Sequence, residues 1–371
     1  MTDPTRPDGN GESHPIDDSG LPTGRPRGIG RRILGGVVSL GLVVLIFAFL
    51  IPKMTTASLS ETLSEITAAN VVVAALLGLL HLFANWTQIS ASLPGLRIRQ
   101  AAVSNLSSAA VSNSLPEGGA VGTALTYAIY HSWGFGVGAA TSSILATGVF
   151  GQLIRYGLLG LALVVLTLTS GAAKLGLALL VLVLVAAAAF IIFRIISSEA
   201  FARRFGHVLD HLVHPLQRLL HKQPSDLAAS MDRFRGQLSG LVRIRWRQLT
   251  LTTLFGEVTA VLILGVCLRM LGIDQSEASW ALVFTAYGGM SLVNTVSPTP
   301  GGVGTAEAAL IAILGTSVPD AQDAQMTAAI MLYRGATWLM PILLGIPAYL
   351  FWRFNTSWRK PVPQDEAAAA G

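Results

Sequence analysis

Long apolar runs recur along the chain, parted by short polar stretches: 33–51, 71–90, 134–154, 156–171, 175–193, 249–271, 280–296 and 325–352. A helix advances about 1.5 Å per residue, so runs of this length reach, or nearly reach, across a hydrocarbon slab of about 30 Å. Two more, 101–115 and 301–315, are marginal as complete crossings and equally suit helices that enter and turn back. The pattern predicts an all-α, polytopic helical membrane protein. Residues 1–30 are rich in Pro, Gly, Asp and Ser without an apolar run, and read as a disordered tail. The run at 33–51 exceeds a signal-peptide core, and its exit, Ile51-Pro-Lys-Met, lacks a small-x-small cleavage pattern, so it reads as a retained anchor.

Basic residues orient these spans. Arg25, Arg27, Arg31 and Arg32 precede the first, and Arg97 and Arg99 follow the second. Arg203, Arg204, Arg218, Lys222, Arg233, Arg235, Arg243, Arg245 and Arg247 crowd 197–248, and Arg353, Arg359 and Lys360 follow the last span. The alternate loops carry Lys53, Glu61, Glu65, Lys174, Asp274, Glu277, Asp320 and Asp323, a deficit of positive charge. The positive-inside rule then places both termini in the cytoplasm of a multi-pass plasma-membrane protein. The expected divisions are a tail at 1–30, a first membrane half at 31–196, a basic cytoplasmic segment at 197–248, a second half at 249–353 and a tail at 354–371.

Two proline-glycine knots interrupt the helical pattern, at 113–124 (Asn113-Ser-Leu-Pro-Glu-Gly-Gly-Ala-Val-Gly-Thr-Ala124) and at 294–307 (Asn294-Thr-Val-Ser-Pro-Thr-Pro-Gly-Gly-Val-Gly-Thr-Ala-Glu307). Each carries an acid, Glu117 or Glu307. Glycine in membrane helices usually serves close packing, as the spacing Gly134-x-x-x-Gly138 suggests, and such spacing also permits a homo-oligomer. Two matching knots, one in each half, point instead to a transport site built from broken helices. The first knot is expected near the outer face and the second near the inner face, with five crossings between them. An odd number inverts the element, so the halves are expected to have inverted topology, with broken or re-entrant helices.

Composition narrows the chemistry. With 52% hydrophobic and 12% charged residues the chain has too much apolar surface for a soluble domain, and its single cysteine, Cys267, excludes an intrachain disulfide and a cysteine zinc site. Gly301–Gly304 lacks the βαβ setting of a dinucleotide site, and no Gly-x-x-x-x-Gly-Lys-Ser/Thr motif offers an ATP site. No cofactor, metal or nucleic-acid partner is expected. Charges inside spans are rare and costly, which singles out Glu117, Arg155, Glu257, Glu307 and Arg334, with Arg269 near an outer end. Glu307, one turn into the segment after Pro300-Gly301-Gly302, either caps that helix start or belongs to a site where free N–H groups favour an anion. Arg334 is suited equally to a phosphodiester and to an ion pair with Glu307 or Glu257. Arg155 reads as an interfacial anchor. Glu117 and Glu257 are open to a cationic head group, a coupling proton or an arginine. His81, Asn85, Tyr127, Tyr130, His131 and Tyr287 read as interhelical hydrogen-bonding residues.

In 207–220, Val208, Leu212, Leu216 and Leu219 recur at helical spacing opposite basic residues, so 197–248 is expected to form amphipathic helices on the membrane that attract anionic lipid. His207, His211 and His214 share a face but lack a fixed fourth metal ligand, and no metal is assigned to them.

Ser297-Pro-Thr-Pro-Gly-Gly-Val-Gly-Thr-Ala-Glu307, followed by Tyr333-Arg-Gly335, resembles the hallmark of the lysylphosphatidylglycerol synthetase membrane-domain, or flippase-like, family. The resemblance covers about residues 31–353. It implies a domain that moves a lipid such as aminoacylated phosphatidylglycerol between leaflets, with re-entrant hairpins in its two halves. Pro300, Gly301, Gly302, Gly304, Glu307 and Arg334 correspond to the family's second block. Glu117, Gly118, Gly119 and Gly122 correspond less closely to the first, where an arginine common in the family is missing. These residues, with Glu257, form the expected site for a phospholipid or lipid-linked head group. A membrane glycosyltransferase with acids Glu61 and Glu65, and a non-transporting scaffold acting through the basic segment, are the competing readings.

Overall fold

A computed structural model of the chain describes residues 66–115, 118–170, 175–205, 207–208, 227–297 and 299–360. The expected tail at 1–30, the span at 33–51, residues 209–226 with most of the amphipathic run, Glu61, Glu65, Glu117 and the end of the chain after Lys360 lie outside the described residues. Among those described there are helices and no strands: α1 (Ala68–Ser92), α2 (Ile98–Ser114), α3 (Gly118–Ser132), α4 (Val137–Ser170), α5 (Leu175–Ser197), α6 (Leu227–Met270), α7 (Trp280–Val296), α8 (Thr305–Leu314), α9 (Asp323–Arg334) and α10 (Met340–Phe354). Among the described residues, five helical segments are long and apolar enough to cross a membrane: Ala68–Ser92, Val137–Thr169, Leu179–Ser197, Leu238–Met270 and Asp320–Phe354. The last joins α9 and α10 through a π turn, Gly335–Leu339. Apolar side chains such as Val72, Leu76, Val183, Leu184 and Phe193 stand exposed on these helices, as residues facing lipid should.

Local chemistry sets the element boundaries. Thr67 caps α1 by accepting from the Asn70 N–H, and Ser279 caps α7 by accepting from the Leu282 N–H. Leu115 is extended because it precedes Pro116, and this ends α2. Pro341 has no N–H and its ring crowds the preceding turn, which accounts for the wider π turn just before it. In two places the structure differs from the sequence expectation. The runs 134–154 and 156–171 are one helix of 34 residues, α4, because no proline or turn stands between them. The division at 248–249 falls inside α6, a continuous helix of 44 residues that carries Arg243, Arg245 and Arg247 straight into a span.

One end of the bundle is basic and the other acidic. At the basic end Leu93, Leu96, Tyr130 and Trp133 form one cluster with Trp352 and Trp358, the Lys360 N–H donates to the Ser132 carbonyl (3.1 Å), and Arg245 donates to the Ala91 carbonyl. At the other end Gln322 donates to Glu277 (2.6 Å), and Arg269 donates to the Ile273 and Ala278 carbonyls. The main core lies between, where Leu264, Leu268, Leu310 and Ile330 are fully buried.

Two helical hairpins enter this frame from opposite ends. The α2–α3 hairpin has both its open ends in the basic-end cluster. It is closed by glycines: a Cβ on Gly118 would come 2.7 Å from the Val111 carbonyl oxygen, and one on Gly122 would come 2.8 Å from that of Ser108. The α7–α8 hairpin opens at the acidic end, where Trp280 packs on Gly265 and Leu314 and Val318 join Leu271 and Ile273. Its turn, Pro300–Gly302, packs against α2. The second knot thus lies against the first hairpin. Gly134 sits in a left-handed turn (φ 84) and Gly138 is exposed with open space above it, so among the described residues no helix packs on this glycine pair.

Gly345 brings α10 onto α2 so closely that an added Cβ would lie 2.5 Å from that of Ala110. Gly345→Leu is expected to destabilise the protein by about 1–3 kcal/mol, the usual cost of overpacking. Gly138→Leu is expected to change little, and thermal unfolding of both variants in mild detergent checks the contrast.

Candidate functional site

The second knot is held by hydrogen bonds that its own residues make. Gly301, Gly302 and Gly304 all have positive φ (58, 67 and 86), a backbone that side chains oppose. Gly301 lies against the indole of Trp338, and a Cβ on Gly302 would come 2.7 Å from the Asn294 amide carbon. The Ser297 hydroxyl pairs with those of Thr299 and Thr305 (2.8 Å each), and Thr305 donates to the Gly302 carbonyl. Glu307 then acts twice: Oε2 accepts from the Gly304 N–H (2.7 Å), closing the start of α8, and Oε1 accepts from Arg334 Nε (2.6 Å). Arg334 Nη2 donates to the Gly301 carbonyl (2.9 Å), and the guanidinium lies over the Trp338 ring at 5.4 Å. Glu307 and Arg334 are buried, at 6% and 8% exposure. The capping expected of Glu307 as one of two readings, and the ion pairing expected of Arg334 as one of two, are both made by the same carboxylate.

A second, half-buried pair lies nearby. Arg155 of α4 grips Glu257 of α6 through two bonds, Nε to Oε2 (2.9 Å) and Nη2 to Oε1 (2.8 Å). Tyr287 of α7 donates its hydroxyl to Glu257 Oε2 (2.8 Å). Such a two-pronged pair fixes orientation as well as charge. His81 Nδ1, on α1, hydrogen-bonds the Gly256 carbonyl and Thr259, and its Nε2 meets Asn85. Arg155 is therefore no interfacial anchor. It stands within α4, in a network that binds three helices, and the break assumed between 154 and 156 is what hid this.

Both arginines face one cavity of about 370 Å³, whose walls include His81, Gln152, Tyr287, Asn294 and Tyr333. Neither Glu257 nor Glu307 lines it. The formal charges cancel in pairs, while of the four charged residues only the two arginines line the cavity. Arg155 keeps 30% of its side chain exposed against 7% for Glu257, which fits a cation that looks into open space. Beside the knot, Asn294 Oδ1 and Trp338 Nε1 are buried and make no hydrogen bond, an acceptor and a donor left over. Among the described residues no three His, Cys, Asp or Glu side chains gather as a metal would need.

The remaining expected residues are placed differently. Pro300 starts the turn, and Gly301, Gly302 and Gly304 shape it. Gly118 and Gly122 lie in the α2–α3 contact, and Gly119 is exposed with open space above it. The first hairpin shows hydroxyls rather than charges to a smaller cavity of about 140 Å³, lined by Ser104, Asn105, Ser108, Thr123, Thr126 and Tyr130. Sequence reasoning missed Gln152 and Trp338. The signal for Trp338 was its place one turn after Arg334, within reach for stacking.

Removing one member of a buried pair leaves a lone charge, at a cost of about 3–5 kcal/mol. Arg334→Met is therefore expected to lower thermal stability more than the double variant Arg334→Met/Glu307→Gln. The same comparison at the more exposed Arg155 is expected to give a smaller difference, with unfolding in detergent as the readout.

A comparison with curated proteins returned no match. Residues 33–345 match the family described as Lysylphosphatidylglycerol synthase TM region, a stretch that takes in both hairpins and both ion pairs. The chain is a membrane protein of the lysylphosphatidylglycerol synthase transmembrane-region family.

Proposed function

We propose that the protein binds a phosphate-bearing lipid head group in the cavity of Arg155 and Arg334 and moves it between leaflets. The observation that carries this reading is the arrangement of charge: both arginines line the cavity while neither of their partner glutamates does. An anion entering there meets forked donors that already face it and keep their other bonds to Glu257, Glu307 and the Gly301 carbonyl. The amide of Asn294, which also lines the cavity, adds a polar group beside the two arginines. Family membership supports a lipid as the ligand.

The two opposed hairpins supply the route. In this reading they are re-entrant, related as inverted halves, and either one can seal the cavity from its own side. The basic end faces the cytoplasm of the plasma membrane by the positive-inside rule, with Arg243, Arg245 and Arg247 drawing anionic lipid to that surface. The chain makes no covalent bond in this scheme. The driving force is an ion gradient or the lipid's own gradient.

Transbilayer movement of a head-group-labelled phosphatidylglycerol in proteoliposomes tests the reading. Arg334→Lys keeps the charge but loses the fork, and is expected to slow movement about tenfold, the effect of one charge-assisted hydrogen bond. Arg334→Gln/Glu307→Gln removes the ion pair while leaving amides to bond each other, and is expected to abolish movement in a folded protein. Wild-type rates in both would sink the proposal.

A further inference from the structure

Behind α4, as seen from the arginine cavity, runs a second and apolar space of about 630 Å³. Its walls are Val149, Leu153 and Leu159 of α4, Leu184 and Ala188 of α5, and Leu292 of α7. The bounding stretches, Gly148 to Leu159 and Val181 to Ile192, each run for roughly 17 Å at the rise of a helix, close to the thickness of one leaflet's hydrocarbon.

Many faces of this bundle are apolar and simply meet bulk lipid. This groove is distinguished by its floor. Gln152 lines both the groove and the arginine cavity. Tyr156 lines the groove, Thr295 lines the cavity, and their hydroxyls are joined by a 2.8 Å hydrogen bond. Arg155 and Tyr156, neighbours in sequence, serve the two spaces in turn. A polar cavity lined by two arginines thus adjoins, across one glutamine and one hydroxyl pair, an apolar groove of acyl-chain length. A ligand that fits both parts has an anionic group and a hydrocarbon chain a short linker apart.

We propose that this groove holds one acyl chain of a glycerophospholipid whose phosphate lies on Arg155 and Arg334, and that the Tyr156–Thr295 hydrogen bond is the latch between the two spaces. The proposal rests on the phosphate reading given above. The groove's length fits an acyl chain rather than a polyprenyl chain, which outruns a leaflet. The second acyl chain stays in the bilayer. The substrate is then recognised at two points, and a head group without a chain binds more weakly than the whole lipid.

The test uses the full chain in nanodiscs with phosphatidylglycerol that carries a photoreactive group in one acyl chain, followed by mapping of labelled peptides. Labelling is expected to concentrate on 148–159 and 181–192 over the lipid-facing stretch 71–80 of α1. Ala188→Trp, which fills the groove from an exposed position, is expected to lower it about tenfold, as exclusion of roughly two methylenes would. Tyr156→Phe keeps the ring, removes the latch, and is expected to raise the rate of labelling. A second arm measures stabilisation of the protein by soluble glycerol 3-phosphate, which has no chain. Stabilisation that is kept in Ala188→Trp and lost in Arg155→Gln/Glu257→Gln supports the two-point site. Uniform acyl labelling beside an intact glycerol-phosphate response overturns the groove and leaves the phosphate site standing. Groove labelling that persists unchanged in Arg155→Gln/Glu257→Gln overturns the link between the spaces. Displacement of the label by a polyprenyl phosphate, and not by unlabelled phosphatidylglycerol, overturns the choice of lipid. No response to glycerol 3-phosphate in the wild type overturns the phosphate reading itself.

Discussion

A helix broken inside a membrane leaves backbone groups that hydrocarbon cannot solvate, and a charge placed there is costlier still. The interaction between Arg334 and the second knot answers both demands together. The guanidinium takes up the Gly301 carbonyl on one side of the turn and Glu307 on the other, while Glu307 holds the Gly304 N–H that opens α8. Each group is the solvent of another. The glycines make the tight turn sterically possible, and the ion pair makes it electrostatically tolerable. Without either, the α7–α8 hairpin would have no reason to stop where it does.

The pair at Arg155 repeats the principle between continuous helices. It ties α4 to α6, and Tyr287 adds α7, so the helix leading into the knot is fixed by the same carboxylate that neutralises Arg155. The balance of charge in the region is neutral, yet its distribution is one-sided. A site of this kind offers an anion strong donors without a net charge that the membrane would otherwise have to bear. The leftover polar atoms of Asn294 and Trp338 border the same turn, where ordinary packing would have paired or removed them.

Much of this was legible in the residues. Apolar runs located the spans, and proline with glycine marked the second knot because only those residues produce such a turn. The ion pair of Arg334 with Glu307 was one of two readings, since charges buried in lipid must find partners. Three things were hidden. Composition cannot distinguish two adjacent spans from one long helix, so 134–171 was divided at Arg155 and that residue was placed at an edge. The run from Leu227 to Met270 changes from basic to apolar without a helix breaker, and charge alone suggested a boundary. In the first knot, Gly118 and Gly122 have the spacing of a site but meet carbonyls of α2, a difference that depends on which face of a helix is covered.

The final span touches everything that matters in turn. Near its middle Trp338 lies on the second knot, seven residues later Gly345 lies on α2, and at its end Trp352 donates to Ser132 at the base of the first hairpin (2.9 Å). The π turn before Pro341 holds the first of these contacts within a stretch of looser hydrogen bonding and precedes the other two. A single helix therefore keeps the register of both hairpins, as a shared ruler with one compliant joint. Slack taken up at that joint lets one hairpin shift while the other stays seated, and a rigid helix in its place would force the two to move as one.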